Sequence, residues 1–295
     1  MKKINVTQFS PLTKIMLWRE ESVIAVGDWF NWSDQEDSLV KQLIKTAKSK
    51  KKKSVIFVPI ISEDMTGFLV DQNLIQKASK YKVDEIFFYF LHQVIRLDSK
   101  SIADNLNSFL KINNIIMTKN FQLEHVFNEQ WLSEFQPNKF TFVNTPSGEN
   151  YIKKVNDSLS KSDFKRFKKL TKVEFLISGR VAKGSQRART LGYPTANLKY
   201  SNKLPLKYGV YGAEVYVSHT DETFNGYAFY NSINDGESFV FETHLENFNR
   251  EIYEWKIIVK PTIFVRNSIP YTTDDEMKRL IKEDVKFIKN FIKGE

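Results

Sequence analysis

Gly179-Arg-Val-Ala-Lys-Gly184-Ser-Gln-Arg187-Ala-Arg189-Thr-Leu-Gly192-Tyr-Pro194-Thr195-Ala196-Asn197 is the most informative stretch of the chain. Two glycines flank a basic loop, so backbone N–H groups can approach phosphates while Arg187 and Arg189 neutralise their charge. Thr195 and Asn197 follow at i and i+2, on one side of an extended strand, and offer two neutral oxygen ligands to a hard cation such as Mg²⁺ and to a phosphate oxygen. The stretch therefore reads as a candidate phosphate site. A glycine and arginine loop also describes a surface hairpin, and that alternative stays open at this level.

Working outward, the residues around it have β texture. Phe175 to Val181, Val210 to Ser218, Gly226 to Tyr230, Ser238 to His244 and Glu251 to Phe264 are short apolar runs separated by Gly, Pro and Asn turns. That spacing predicts a small all-β barrel or sandwich. Thr273 to Ile292 then carries Met277, Leu280, Ile281, Val285, Ile288 and Phe291 at helical spacing, with Asp274, Asp275 and Glu276 in its first turn, which predicts a closing helix.

Upstream the pattern changes to alternating βα units. Ser22 to Val26, Ser54 to Ile61, Glu85 to Phe90, Asn114 to Met117 and Phe140 to Asn144 read as strands. Gln35 to Lys48, Val70 to Lys80 and Lys100 to Leu110 read as amphipathic helices between them. This alternation predicts a Rossmann-like parallel sheet. Tyr151 to Thr171 reads as helical turns leading out of it, with a boundary near Thr171, dividing the chain into 1–171 and 172–295.

Composition agrees with two packed domains. The 295 residues are 41% hydrophobic, with 24 Phe, 12 Tyr and 5 Trp, enough apolar material for two cores. No cysteine is present, which removes disulfides, thiolate zinc sites and cysteine nucleophiles and leaves oxygen, nitrogen or a hard metal ion for any chemistry. No stretch approaches the length of a membrane span, and Lys3, Gln8, Pro11, Lys14 and Arg19 interrupt the start, so a cytoplasmic protein is expected. The net charge of +9 is dispersed over lysines. Its densest run, Lys48 to Lys53, reads as a solvated helix end facing the C-terminal dipole. A nucleic-acid partner is not expected from that distribution, and an anionic small ligand accounts for it equally well.

Gly192-Tyr-Pro-Thr-Ala-Asn197, with the preceding loop and with Leu204-Pro205 and Gly209-Val210-Tyr211 after it, resembles the signature of riboflavin kinases, found alone or as the second half of bifunctional riboflavin kinase/FAD synthetases. The resemblance continues through Phe241-Glu242-Thr243-His244-Leu245, Phe248, Ile252-Tyr253 and Val265-Arg266 as far as Asp284. It implies a six-stranded barrel with a C-terminal helix, and transfer of the ATP γ-phosphoryl group to the ribityl 5′-hydroxyl of riboflavin, giving FMN. By the same resemblance Thr195 and Asn197 ligate Mg²⁺ and the ATP phosphates, and Gly184, Arg187 and Arg189 cover them. Glu242 is the base, with Arg266 and His244 on the flavin side. Without the resemblance Glu242 reads as a strand carboxylate facing solvent. The chain departs from the family at Ala228-Phe-Tyr-Asn-Ser-Ile, where Asn-Ile-Gly is usual, and at Arg266-Asn267-Ser268, where Arg-x-Glu is usual.

The first half resembles the nucleotidyltransferase-type FMN adenylyltransferase domain of the bifunctional enzymes, with eroded motifs. Where His-x-Gly-His is expected, Ser33 and Glu36 stand at the histidine positions, and Asn156 stands at a position usually held by arginine. A glutamate beside a triphosphate repels it, so this domain is expected to be inactive. Three readings follow: a riboflavin kinase with a silent first domain, a working bifunctional enzyme, or a flavin- or nucleotide-binding protein without catalysis.

Overall fold

The computed structural model describes residues 4–12, 19–61, 69–94, 96–123, 126–145, 147–184, 187–200, 203–233 and 238–293, and of Arg187 the backbone only. The chain forms two compact units, Met1–Lys153 and Lys154–Glu295. Among the described residues no helix is long and apolar enough to cross a membrane.

The first unit is a parallel sheet with the strands β1 (Asn5–Phe9), β2 (Ser22–Val26), β3 (Lys53–Pro59), β4 (Glu85–Tyr89), β5 (Ile112–Met117) and β6 (Phe140–Phe142) in the order β1-β4-β3-β2-β5-β6. Its helices are α1 (Asp34–Lys50), α2 (Asp71–Lys80), α3 (Ser99–Leu110) and α4 (Glu129–Phe135). Parallel strands covered by helices are apolar on both faces, and β2 is accordingly buried from end to end. From β2 the chain builds β3 and β4 to one side and then crosses to build β5 and β6 on the other. That reversal makes a crevice at the carboxyl ends of β2 and β5. Two elements escaped the sequence reading. The five residues of β1 are exposed along most of their length and lack apolar periodicity, and α4 spans only seven residues. β1 is held by its pairing with β4 and by Glu85, which accepts hydrogen bonds from Thr7 at 2.6 Å and from Arg19 at 2.9 and 2.5 Å. The lysine run ends α1 as expected, with Lys51 in the left-handed cap position, while Lys52 and Lys53 pair with Glu21 and Glu20.

The second unit opens with α5 (Glu149–Ser160), which straddles the division, and α6 (Phe164–Thr171). Phe164 stacks on Phe175 at 5.9 Å and meets Tyr211 at 6.2 Å, so α6 packs with the β domain that follows it. That domain contains β7 (Ile177–Arg180), a helical turn α7 (Arg187–Thr190), β8 (Ala196–Tyr200), β9 (Gly209–Val217), β10 (Glu222–Ile233), β11 (Ser238–Leu245), β12 (Lys256–Asn267) and α8 (Asp274–Lys293). The six strands form one antiparallel sheet in the order β7-β12-β9-β10-β11-β8. Its two end strands approach one another. An isolated antiparallel bridge joins Ala182 to Asn197, and Tyr200 donates to the Ser178 carbonyl at 3.2 Å. The sheet thus curls into a near-barrel around Tyr211, Val215, Tyr230, Phe241 and Ile257, all fully buried. Gly226 permits the tight approach of β10 to β11, because a Cβ there would fall 1.9 Å from the His244 carbonyl oxygen. The run expected from Glu251 becomes a strand only at Lys256, after a turn within 251–255; β12 then extends to Asn267.

Candidate functional site

The sequence-predicted residues collect at one end of the near-barrel. β8 and β11 pair so that Asn197 lies opposite Glu242, and β10 places Phe229 on the other flank of Glu242. Thr195, one residue before β8 begins, donates its hydroxyl to Glu242 Oε2 at 3.3 Å. Asn197 is 6% exposed and its Nδ2 donates to the Thr195 carbonyl at 3.2 Å, which fixes the turn that presents Thr195. Gly184 closes over that amide. A Cβ at 184 would lie 2.5–2.6 Å from the terminal atoms of Asn197, so no larger residue fits. Burial pushes the Glu242 carboxyl above its ordinary range, and the Thr195 hydrogen bond offsets part of that shift. A carboxylate raised in this way is a better proton acceptor than a solvated one.

Two cavities meet here. One, of about 150 Å³, is lined by Arg189, Thr195, Asn249, Arg250 and Glu251 among others. The other, of about 220 Å³, is lined mainly by apolar side chains, including Leu191, Phe229, Met277 and Ile281, with Glu242 in its wall. Thr195 borders both. Arg189 stands on α7 at the edge of the first cavity, whereas the side chain of Arg187 lies outside the described residues. The arrangement suits a polar, charged donor in one space and a flat apolar acceptor in the other, with a hydroxyl and a carboxylate at the junction.

The flavin-side candidates have fixed partners. Arg266 follows a β-bulge in β12 that shifts its register, and it grips Asp284 of α8 through Nε at 2.9 and 3.2 Å and Nη2 at 2.7 Å. Both residues border the apolar cavity. The position of Asp284 is legible in retrospect, since a carboxylate on the apolar stripe with Ile281 and Ile288 needs a buried partner. His244 is joined through Nδ1 to the Pro194 carbonyl at 2.8 Å and stacks on Tyr227 at 4.7 Å, with Tyr193 edge-on at 5.8 Å. Burial lowers its pKa, and the Pro194 contact offsets part of that. These contacts pin the segment that carries Thr195 against β11. Neither tyrosine follows from local pattern: Tyr193 lies in the loop before β8, and Tyr227 stands on the half-buried face of β10.

The first unit has a different character. The crevice at the carboxyl ends of β2 and β5 holds a cavity of about 280 Å³ lined by Asp28, Trp29, Phe30, Asn120, Phe121 and Gln122 among others, with no cation among the described lining residues. The start of α1 is closed by its own side chains. Glu36 Oε2 accepts from the Ser33 backbone at 2.8 Å and from the Ser33 hydroxyl at 2.6 Å, and Ser33 in turn caps Gln35. Ser33 and Glu36 are 3% and 2% exposed. Glu36 therefore does not project into the crevice, as its sequence position suggested, but occupies the helix start from within.

Comparison with known proteins bears on this geometry. The Flavokinase (riboflavin kinase) family model matches residues 171–292. The bifunctional riboflavin kinase/FMN adenylyltransferase of Buchnera aphidicola subsp. Schizaphis graminum is 32% identical over 133 residues, 42% of this chain and 41% of that protein. The protein of the same description from Haemophilus influenzae is 33% identical over 141 residues, 46% of this chain and 45% of that protein. The chain thus aligns with less than half the length of these curated relatives. A crystal structure titled macrolide-efflux protein, from Streptococcus pneumoniae, covers 97% of this chain and 99% of its own with a TM-score of 0.57 at 18% identity, which is a likeness of fold. With the ordered motifs of the second unit and its six-stranded antiparallel near-barrel, residues 171–292 are a riboflavin kinase domain, similar to that part of the bifunctional riboflavin kinase/FMN adenylyltransferases.

Proposed function

We propose that the chain is an ATP:riboflavin 5′-phosphotransferase. The observation that carries this reading is the Thr195–Glu242 contact at the junction of a polar and an apolar cavity. Riboflavin lies in the apolar space with its ribityl 5′-hydroxyl toward Glu242, and ATP lies in the polar one with its phosphates toward Arg189 and Thr195. The 5′-oxygen attacks the γ-phosphorus, the bond to the β,γ-bridging oxygen breaks, and ADP leaves. Glu242 takes the hydroxyl proton late, as the new P–O bond acidifies it, and then releases it to solvent. Most of the rate comes from holding the two reactants in line and from donors fixed in advance.

The donor set fits Mg²⁺. Thr195 and Asn197 offer oxygen ligands on the protein side, and no group of three or more His, Cys, Asp or Glu suited to a resident metal occurs among the described residues. Such a site suits an ion that arrives with a nucleotide and keeps phosphate and water oxygens in its shell. When bound, it neutralises charge on the transferring phosphoryl group.

The first unit, on this reading, does not transfer an adenylyl group. A helix start that binds a triphosphate needs free N–H donors and nearby cations. Here Ser33 and Glu36 satisfy the helix start, and the crevice beside it carries Asp28 with no cation among its described lining residues. Incubation with riboflavin, ATP and Mg²⁺, followed by chromatographic separation of riboflavin, FMN and FAD, tests the whole reading. FMN alone is expected. FAD formation would restore the bifunctional reading, and flavin binding without turnover would leave only a binding protein.

A further inference from the structure

The apolar cavity has three charged side chains among its described lining residues: Glu242, Arg266 and Asp284. Arg266, the one cation among those described residues, is already engaged. Arg266 gives Nε and Nη2 to Asp284 and Nη1 to the Asn267 carbonyl at 3.2 Å, and the two side chains are only 24% and 8% exposed. With Glu242 ionised, the formal charge of these three side chains is therefore one negative. An uncharged ring system enters without repulsion. The same ring bearing a phosphate dianion brings that charge to Glu242, with no unpaired cation among the described residues of this cavity; Arg189 and Arg250 line the other cavity, on the nucleotide side. A buried ion pair of this kind contributes little stability compared with apolar residues of equal volume, so its place in the wall of a ligand cavity calls for another account.

We propose that Asp284 is a specificity-determining residue: by holding Arg266 in a neutral pair, it keeps the acceptor cavity selective for the unphosphorylated flavin over the phosphorylated one, so that the product is expelled. This rests on the kinase reading above and adds to it the control of product release. An unpaired cation across a cavity of roughly 10 Å, at an effective dielectric of about 20, changes the affinity for a phosphate by roughly tenfold per charge.

The test uses the full chain without nucleotide, titrated separately with riboflavin and with FMN and followed by quenching of flavin fluorescence. Asp284→Asn is expected to bind FMN roughly tenfold tighter or more than the wild type, with riboflavin within about threefold, and the gain should shrink as KCl is raised. The double variant Asp284→Asn, Arg266→Gln is expected to lose the gain. Arg266→Gln alone, which leaves Asp284 unpaired, should weaken FMN relative to riboflavin. No gain in Asp284→Asn, or a gain that persists in the double variant, overturns the proposal. If Asp284→Asn fails to fold, Arg266→Gln decides, and an unchanged ratio of FMN to riboflavin affinity overturns it. A wild type that phosphorylates riboflavin yet holds FMN as tightly as riboflavin overturns the selectivity alone, whereas one that neither binds nor phosphorylates riboflavin removes the kinase reading as well.

Discussion

Replacing Glu242 by glutamine separates proton acceptance from everything else the residue does. The amide oxygen of the new side chain can still accept the Thr195 hydroxyl, which approaches Glu242 at 3.3 Å, and the pairing of β11 with β8 is made by the backbone. Binding of MgATP and riboflavin should therefore change by no more than about threefold. Turnover should fall by roughly 10²–10⁴-fold, the range for removing a general base, or about 3–5 kcal/mol of barrier. The stability of the variant should move the other way. Burial raises the Glu242 pKa in the folded state above its ordinary 4.5, so the group stabilises the fold most when protonated, below that value. Its contribution is lost as pH rises through the raised folded pKa. An amide in its place never ionises, so the Glu242→Gln variant should melt above the wild type at pH 8 and converge with it below about pH 4.5. Steady-state formation of FMN and thermal melts across pH 4–8 measure both effects. Turnover within about threefold of the wild type, or a variant that melts lower at pH 8, would refute the reasoning.

Thr195→Val keeps the shape of the side chain but removes the one hydroxyl that borders both cavities; Mg²⁺-dependent nucleotide binding should weaken roughly tenfold or more in a calorimetric titration, with riboflavin binding less affected. Gly184→Ala drives a Cβ to 2.5–2.6 Å from the Asn197 amide; the displaced turn should lower kcat/KM for ATP at least tenfold while circular dichroism stays unchanged. Excess FMN, ATP and Mg²⁺ should yield no FAD and no pyrophosphate, since a lost anion donor costs about 10²–10³-fold in rate and here several are lost. Accumulation of FAD at a rate comparable to FMN formation, abolished by substitutions in 1–153 and not by those in 154–295, would count against a silent first unit.

Much of the fold was legible because the two halves have different periods. Val23 to Val26 and Val55 to Val58 are unbroken apolar runs of a kind that only a doubly covered strand can bury. Phe239, Phe241 and Leu245 line one face of β11, with Glu242 and His244 on the other, which is why those two could be placed together before any coordinates. Other parts depended on contacts remote in sequence. β1 owes its place to Glu85, 78 residues after Thr7. The turn at 251–255 that delays β12 has the composition of a strand. The resemblance implies a flavin-side role for Arg266, but its union with Asp284 depends on a bulge and a helix docking that local pattern does not encode. Glu36 shows the opposite case: its capping partner lies three residues away, and Ser33 followed by Glu36 is the sequence signature of a helix start.

The join between the two ends of the curled sheet also has a dynamic consequence. β8 is bonded along its length to β11, but toward β7 the bonds among the described residues are the Ala182–Asn197 bridge and the Tyr200 hydroxyl. The segment bearing Thr195 is thus fastened to the most loosely stitched seam of the domain, while the register of β9 with β10 and β12 continues for nine residue pairs on either side. Amide protons of 182–184 and of β8 should accordingly exchange with deuterium through brief local openings, well before those of β9, which require the whole unit to unfold.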